Sequence, residues 1–294
     1  MDERLKFWYI LIMSFEGQEI PKGAAKPLPE QERPPFQTLA CLNEQGATPS
    51  TPFLQTNEAV YSHTYDYLAM NRKHGAPTLH VGVSGLQNLD MIAARRSNFG
   101  VLLDINPNMQ KVMSVVRDIC RSEPKVNRQE FVSAFINRIS TDPELWDDET
   151  KKEFQLSNFQ RKAAESWSWL SSEDSFDHVR ALFLEDRIIS INLNFSNVEN
   201  VERIARWARQ NGVAIDTVYI SNIFEWNMSE NAKKLVSLAR VGREDTLILS
   251  SYGQSGKLQV FELKDHPHFH IQNGVASLTG FLKGAIGSLS TTLQ

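Results

Sequence analysis

The chain has 294 residues, 41% of them hydrophobic and 22% charged, and a formal net charge of -4 at pH 7. That is enough apolar material for one large domain or two small ones, without the basic excess that nucleic acid or an anionic membrane attracts. Only Cys41 and Cys120 occur, with no second cysteine or histidine at ligand spacing, so neither a disulfide framework nor a zinc module is suggested. A cytoplasmic protein is expected, with export as a secreted effector left open; nucleic acid is not expected as a partner, and the oligomeric state is not readable.

The apolar run Phe7 to Met13 is far shorter than the roughly 20 residues that span a bilayer. Glu16 and Glu19 follow it where a secretory signal would carry small residues, so it reads as a docked strand or partner-binding segment. Seven of the 12 prolines fall in the first 52 residues, where missing amide donors and fixed φ angles oppose helices and central strands. Residues 1–53 are therefore expected to form an extended proline-rich arm that wraps the domain or stays mobile.

Regular patterning begins with "TNEAVYSHTYDYL", where Thr56 can cap a helix that carries Tyr61, Tyr65 and Leu68 on one face. A strand, Thr78 to Val83, follows, then a helix marked by Leu86, Leu89, Ile92 and Ala93. "FGVLLDI" has the continuous apolar run of a strand buried on both faces. The helix after it carries Met109, Val112, Met113, Val116 and Ile119 as its stripe, and residues 122–186 read as a helical insertion.

Alternation resumes with the strand "RIISINLNF", a helix from Val198 to Gln210, the strand "AIDTVYIS", a helix striped by Leu235, Val236 and Ala239, and the strand "TLILSSY". "KLQVFEL" reads as a last strand, antiparallel to the others. Strands separated by helices predict an α/β domain over residues 54–294 with helices on both faces of a mostly parallel sheet. Ligands of such sheets bind beyond the carboxyl ends of the strands, near the topological switch point.

At the end of the first strand, Gly82 and Gly85 could let backbone N–H groups approach a ligand, and Asp104 stands 22 residues beyond Gly82, where an acid can accept from ribose hydroxyls. "GVSGLQ" lacks both the full G-x-G-x-x-G pattern and a Walker lysine, so an adenosyl ligand of modest size fits better than a dinucleotide or a nucleoside triphosphate. Equally, the two glycines could satisfy a tight turn alone.

This order of elements resembles the class I S-adenosylmethionine-dependent methyltransferase fold, a three-layer Rossmann-like arrangement. More narrowly, "GVSGLQNLDMIAARR", "VLLDINPNMQ", "RQEFVSAF" and "VYISNIFEW" resemble successive blocks of a largely uncharacterised bacterial family with a methyltransferase-like domain, over roughly Leu54 to Tyr252. The resemblance implies S-adenosylmethionine as cofactor, held around His80, Gly82, Ser84, Gly85, Gln87, Asn88, Asp104, Ile105 and Ser221. Ser84 and Gly85 depart from the Gly-Pro of that family's turn, and His80 stands where general methyltransferases place an acid.

Asn222 and Glu225, just past the strand "VYIS", are the candidate catalytic residues, the first facing a methyl acceptor and the second taking a proton; a strand-end turn residue and a capping acid are the plain alternatives. Trp226 could stack on an acceptor, and Asn192 and Asn194 could line the same edge. His266, His268 and His270 alternate, but no carboxylate at matching spacing accompanies them, and no metal is expected. Two functions stay open: methyl transfer to an acceptor the sequence does not name, or a non-catalytic interaction protein on a degenerate fold of this kind.

Overall fold

The structure, a computed structural model, describes residues 29–45, 48–55, 62–72, 75–122, 126–221, 223–225, 228–243, 245–251, 258–262, 270–272 and 275–277. The expected cap Thr56, the apolar run Phe7 to Met13, and Asn222, Trp226, His266 and His268 lie outside them.

The described residues include the helices α1 (Ser62–Met70), α2 (Gln87–Arg95), α3 (Pro107–Ser122), α4 (Arg128–Ser140), α5 (Glu149–Ala163), α6 (Glu173–Leu184), α7 (Val198–Asn211) and α8 (Asn231–Val241). The strands are β1 (Thr78–Val83), β2 (Phe99–Asp104), β3 (Ile188–Asn192), β4 (Ala214–Ser221), β5 (Leu247–Ser251), β6 (Leu258–Glu262), β7 (His270–Gln272) and β8 (Val275–Ser277).

Six strands form one sheet in the order β3-β2-β1-β4-β5-β6. The first five are parallel, and β6 pairs antiparallel with β5, Leu247 opposite Glu262. The order turns back on itself between β1 and β4, as in Rossmann-like doubly wound sheets. β7 and β8 form a separate antiparallel pair.

Alternation along each strand divides the core. Val101 and Leu103 of β2, Val218 and Ile220 of β4, and Ile248 of β5 face the side covered by α7 and α8. Leu102 faces the opposite side, with α2, α3 and the helices α4 to α6. The apolar runs are thus buried on both faces, which is why they carry few polar residues. α4 to α6 fill the connection between α3 and β3, and Phe131, Phe135, Phe159 and Phe176 of these helices, with Trp169 of the turn between α5 and α6, are fully buried in the same core as α2 and α3.

Local signals set the helix ends. Asn127 and Glu130 make a reciprocal capping box at α4, and the side chains of Asp148, Ser172 and Asn197 cap α5, α6 and α7. Arg95, at the end of α2, is fully buried and pairs with Asp216 of β4 at 2.8 Å. The same guanidinium donates to the carbonyls of Leu68 and Asn71, joining α1 to the sheet.

The described part of the arm is packed against the domain. A 3-10 turn, Phe36–Leu42, buries Phe36, Leu39 and Leu42 on the α7 side of the sheet, with the Phe36 ring 4.9 Å from Trp207 and 5.1 Å from Phe99. The Asn43 carboxamide accepts from the Asn192 N–H at 2.7 Å, and the Glu44 N–H donates to the Asn192 carbonyl at 2.7 Å, which fastens the arm beside β3.

Candidate functional site

A cavity of about 420 Å³ opens at the carboxyl edge of the sheet. The ends of β1, β2 and β4 and the chain just past β3 contribute Val83, Asp104, Ser221 and Leu193, so the cavity sits at the switch point between β1 and β4. Its volume falls within the roughly 300–1,000 Å³ of small-molecule sites.

Six of the sequence-predicted cofactor residues line it: Ser84, Gly85, Gln87, Asp104, Ile105 and Ser221. His80, Gly82 and Asn88 do not. The His80 ring is fully buried below the turn, with Nε2 2.8 Å from Asn88 Oδ1. An amide oxygen only accepts, so Nε2 carries the proton. Burial pushes the imidazole down to about 4, and the ring is neutral at pH 7.

Asn88 is the clamp of the turn, its carboxamide donating to the carbonyls of Val83 at 3.3 Å, Gly85 at 3.0 Å and Ser84. The Ser84 N–H donates to the Leu103 carbonyl at 2.8 Å while Ser84 itself adopts φ 65°, a conformation that a non-glycine residue holds only when its surroundings enforce it.

The glycines have protein-side reasons for lacking a side chain. A Cβ on Gly82 would stand 1.6 Å from Asn88 Oδ1 and 2.7 Å from His80 Nε2. On Gly85, at φ +24°, it would stand 3.1 Å from the Phe53 carbonyl oxygen and 3.2 Å from that of Leu54. Gly82 thus admits the His80–Asn88 bond, and Gly85 admits the backbone of residues 53 and 54 while also bordering the cavity.

Asp104 ends β2 at the cavity wall. It accepts from the Asn106 N–H at 2.7 Å, and burial raises its carboxyl to about 6. Ile105, next in the chain, is 61% exposed. Across the cavity Glu230 accepts from Ser196 Oγ at 3.0 Å and from Asn194 Nδ2 at 3.4 Å. Lys234 donates to the Ile223 carbonyl at 2.6 Å and to Asn231 Oδ1 at 3.3 Å, and its ammonium is held below its ordinary value by burial, partly offset by Glu230.

Among the lining residues the charged groups are Asp104, Glu230 and Lys234. Such a wall suits a nucleoside or a cation better than a pyrophosphate, which recruits arginines or several free amides.

Ser50, Phe53, Gln55, Tyr219, Glu230 and Lys234 also line the cavity and were not singled out from sequence. Gln55 is 3% exposed and Gln87 fully buried; Oε1 of Gln55 and both carboxamide atoms of Gln87 have no hydrogen-bond partner among the described residues. Of the expected catalytic pair, Asn222 lies outside the described residues, and Glu225 closes a short 3-10 turn, Ile223–Glu225, directly after β4. Asn194 lines the cavity, whereas Asn192 bridges β2 and β3 through the Asp104 carbonyl at 3.0 Å. Among the described residues no cluster of three or more metal-ligating side chains occurs, and no helix is long and apolar enough to cross a membrane.

The chain belongs to the family described as Domain of unknown function (DUF7790), whose model matches residues 53–143 and 146–279. The match begins at Phe53 and so takes in Phe53 and Gln55 of the cavity wall, while Ser50 precedes it. No curated protein matches the chain.

Proposed function

We propose that the cavity binds S-adenosylmethionine and that the protein transfers its methyl group to a second substrate. The observation that carries this reading is Asp104: an acid at the end of β2, on the wall of a nucleoside-sized cavity at the switch point of a Rossmann-like sheet. A carboxylate there can accept from vicinal ribose hydroxyls. Two carboxylates and one ammonium on the wall also leave an environment that tolerates a sulfonium, whereas phosphate-bearing ligands would meet Asp104 and Glu230 without a cationic cluster.

The finer identification of the sheet as a methyltransferase fold belongs to the same proposal, supported by the antiparallel strand β6 beside β5. Methyl transfer is an in-line displacement at carbon: the acceptor lone pair forms the new bond, the bond to sulfur breaks, and a thioether leaves. The protein contributes by aligning the two partners and excluding water, which needs no metal cluster or catalytic triad. Ser221 and the turn after β4 stand where an acceptor would approach, and Asn222 and Glu225 stay the candidates to orient it and take its proton.

Thermal unfolding with added nucleosides tests the reading. S-adenosylmethionine and S-adenosylhomocysteine at millimolar concentration should raise the melting temperature, since a ligand that binds only the folded state stabilises it. NAD and ATP should not; stabilisation by those two alone would contradict the proposal.

A further inference from the structure

Ser50, Phe53 and Gln55 form part of the cavity wall. Residues 50–55 are fastened to three other parts of the fold. The Ser50 N–H donates to Asn106 Oδ1 at 3.2 Å, and the Ser50 carbonyl accepts from the carboxamides of Asn106 and Asn108 at 3.0 and 2.9 Å. The Leu54 N–H donates to Gln155 Oε1 of α5 at 3.0 Å, and its carbonyl accepts from the Leu86 N–H at 2.8 Å. Leu54 is fully buried while Phe53, beside it on the cavity wall, is 54% exposed.

Besides Ser50 and Phe53, this segment brings Gln55 to the cavity, whose wall it shares with Gln87, the first residue of α2. Among the described residues three of these carboxamide atoms have no partner, two acceptors and one donor, and burying such groups unbonded costs free energy that a bound ligand can recover. The two acceptors match an ammonium and the donor matches a carboxylate. The positive end of the α2 dipole at Gln87 adds a preference for the carboxylate. His80 does not take this part, because it does not line the cavity.

We propose that Gln55 and Gln87 hold the α-amino-acid terminus of the ligand. Oε1 of each accepts from its ammonium, and Nε2 of Gln87 donates to its carboxylate. Gln55, just past the arm, is thereby a specificity-determining residue of the cavity wall. The assignment rests on the S-adenosylmethionine reading.

Calorimetric titration of the full chain with S-adenosylhomocysteine and with 5′-methylthioadenosine, which lacks the amino-acid terminus, tests it. Gln55→Leu and Gln87→Leu should each weaken S-adenosylhomocysteine about tenfold or more, as expected when a charged group loses a hydrogen bond, and leave 5′-methylthioadenosine unchanged. Gln55→Glu, which keeps an acceptor for the ammonium, should retain S-adenosylhomocysteine. Should Gln55→Leu fail to fold, Gln87→Leu reads the same difference. Loss of both ligands alike in the folded variants, which would place the amides against the base, or of neither, overturns the assignment while the adenosyl reading stands. If the wild-type chain binds neither ligand, both fall.

Discussion

His80 Nε2 and Asn88 Oδ1 meet at 2.8 Å in the space that a side chain on residue 82 would fill. The glycine turn is therefore built from within. One buried imidazole fixes the orientation of one carboxamide, and that carboxamide in turn holds the carbonyls of residues 83 to 85, so that Ser84 and Gly85 are delivered to the cavity wall in a defined conformation.

Gly82→Ala should destabilise the fold by about 2–4 kcal/mol, because the methyl group must displace a fully buried hydrogen-bonded pair. The urea midpoint of the variant measures this. An unchanged midpoint, with only ligand affinity lost, would return Gly82 to the role of clearing space for a ligand.

The arm should count as part of the fold. Phe36 packs between Phe99 and Trp207 and is only 6% exposed, so Phe36→Ala should cost about 3–5 kcal/mol in urea unfolding. A cost below about 0.5 kcal/mol, as expected for an exposed site, would mean that the turn is merely laid on the surface.

Replacing one side of the buried pair between Arg95 and Asp216 removes a charge-assisted contact from the core. Arg95→Met should therefore destabilise by about 3–5 kcal/mol, and the double replacement Arg95→Met with Asp216→Leu by distinctly less. Chemical unfolding of both variants decides it; equal losses would mean that packing, not charge, dominates at this site.

Burial gives the pH dependence two opposing parts. His80 and His178 are both lowered to about 4 from 6.5, so the unfolded chain protonates first, and their contribution to stability is lost as pH falls from 6.5 towards 4. Asp90, raised to about 7, and Asp104, raised to about 6, act in reverse: their contribution is full below about 3.8 and is lost as pH rises through those values. Asp90→Asn keeps an acceptor for the Trp169 N–H, which now lies 2.8 Å from Asp90 Oδ1. It should gain on the wild type as pH rises from 4 to 8, and parallel profiles of urea midpoint against pH would contradict this.

The sheet was legible because its strands are short apolar runs set between helical stripes, a pattern that depends only on neighbours in sequence. Asp104 was legible for the same reason, since the end of β2 fixes its place. The cavity wall was less so. Leu54 meets Gln155 across 101 residues, and Glu230 meets Ser196 across 34, and no local period records such pairs. His80 carried a signal that could have been read: a polar residue on the same face as Gly82 in a buried strand needs a partner, and a residue without a Cβ two positions on leaves room for one.

The proposed function requires Asp104 to face bound S-adenosylmethionine. Calorimetric titration of the wild-type chain and of Asp104→Ala with this ligand tests it most directly. Saturable binding to the wild type is expected, with a loss of about 1–3 kcal/mol in the variant, because the ribose hydroxyls lose a charged acceptor. No binding to the wild type up to millimolar concentration, or equal affinity in the two proteins, would contradict it.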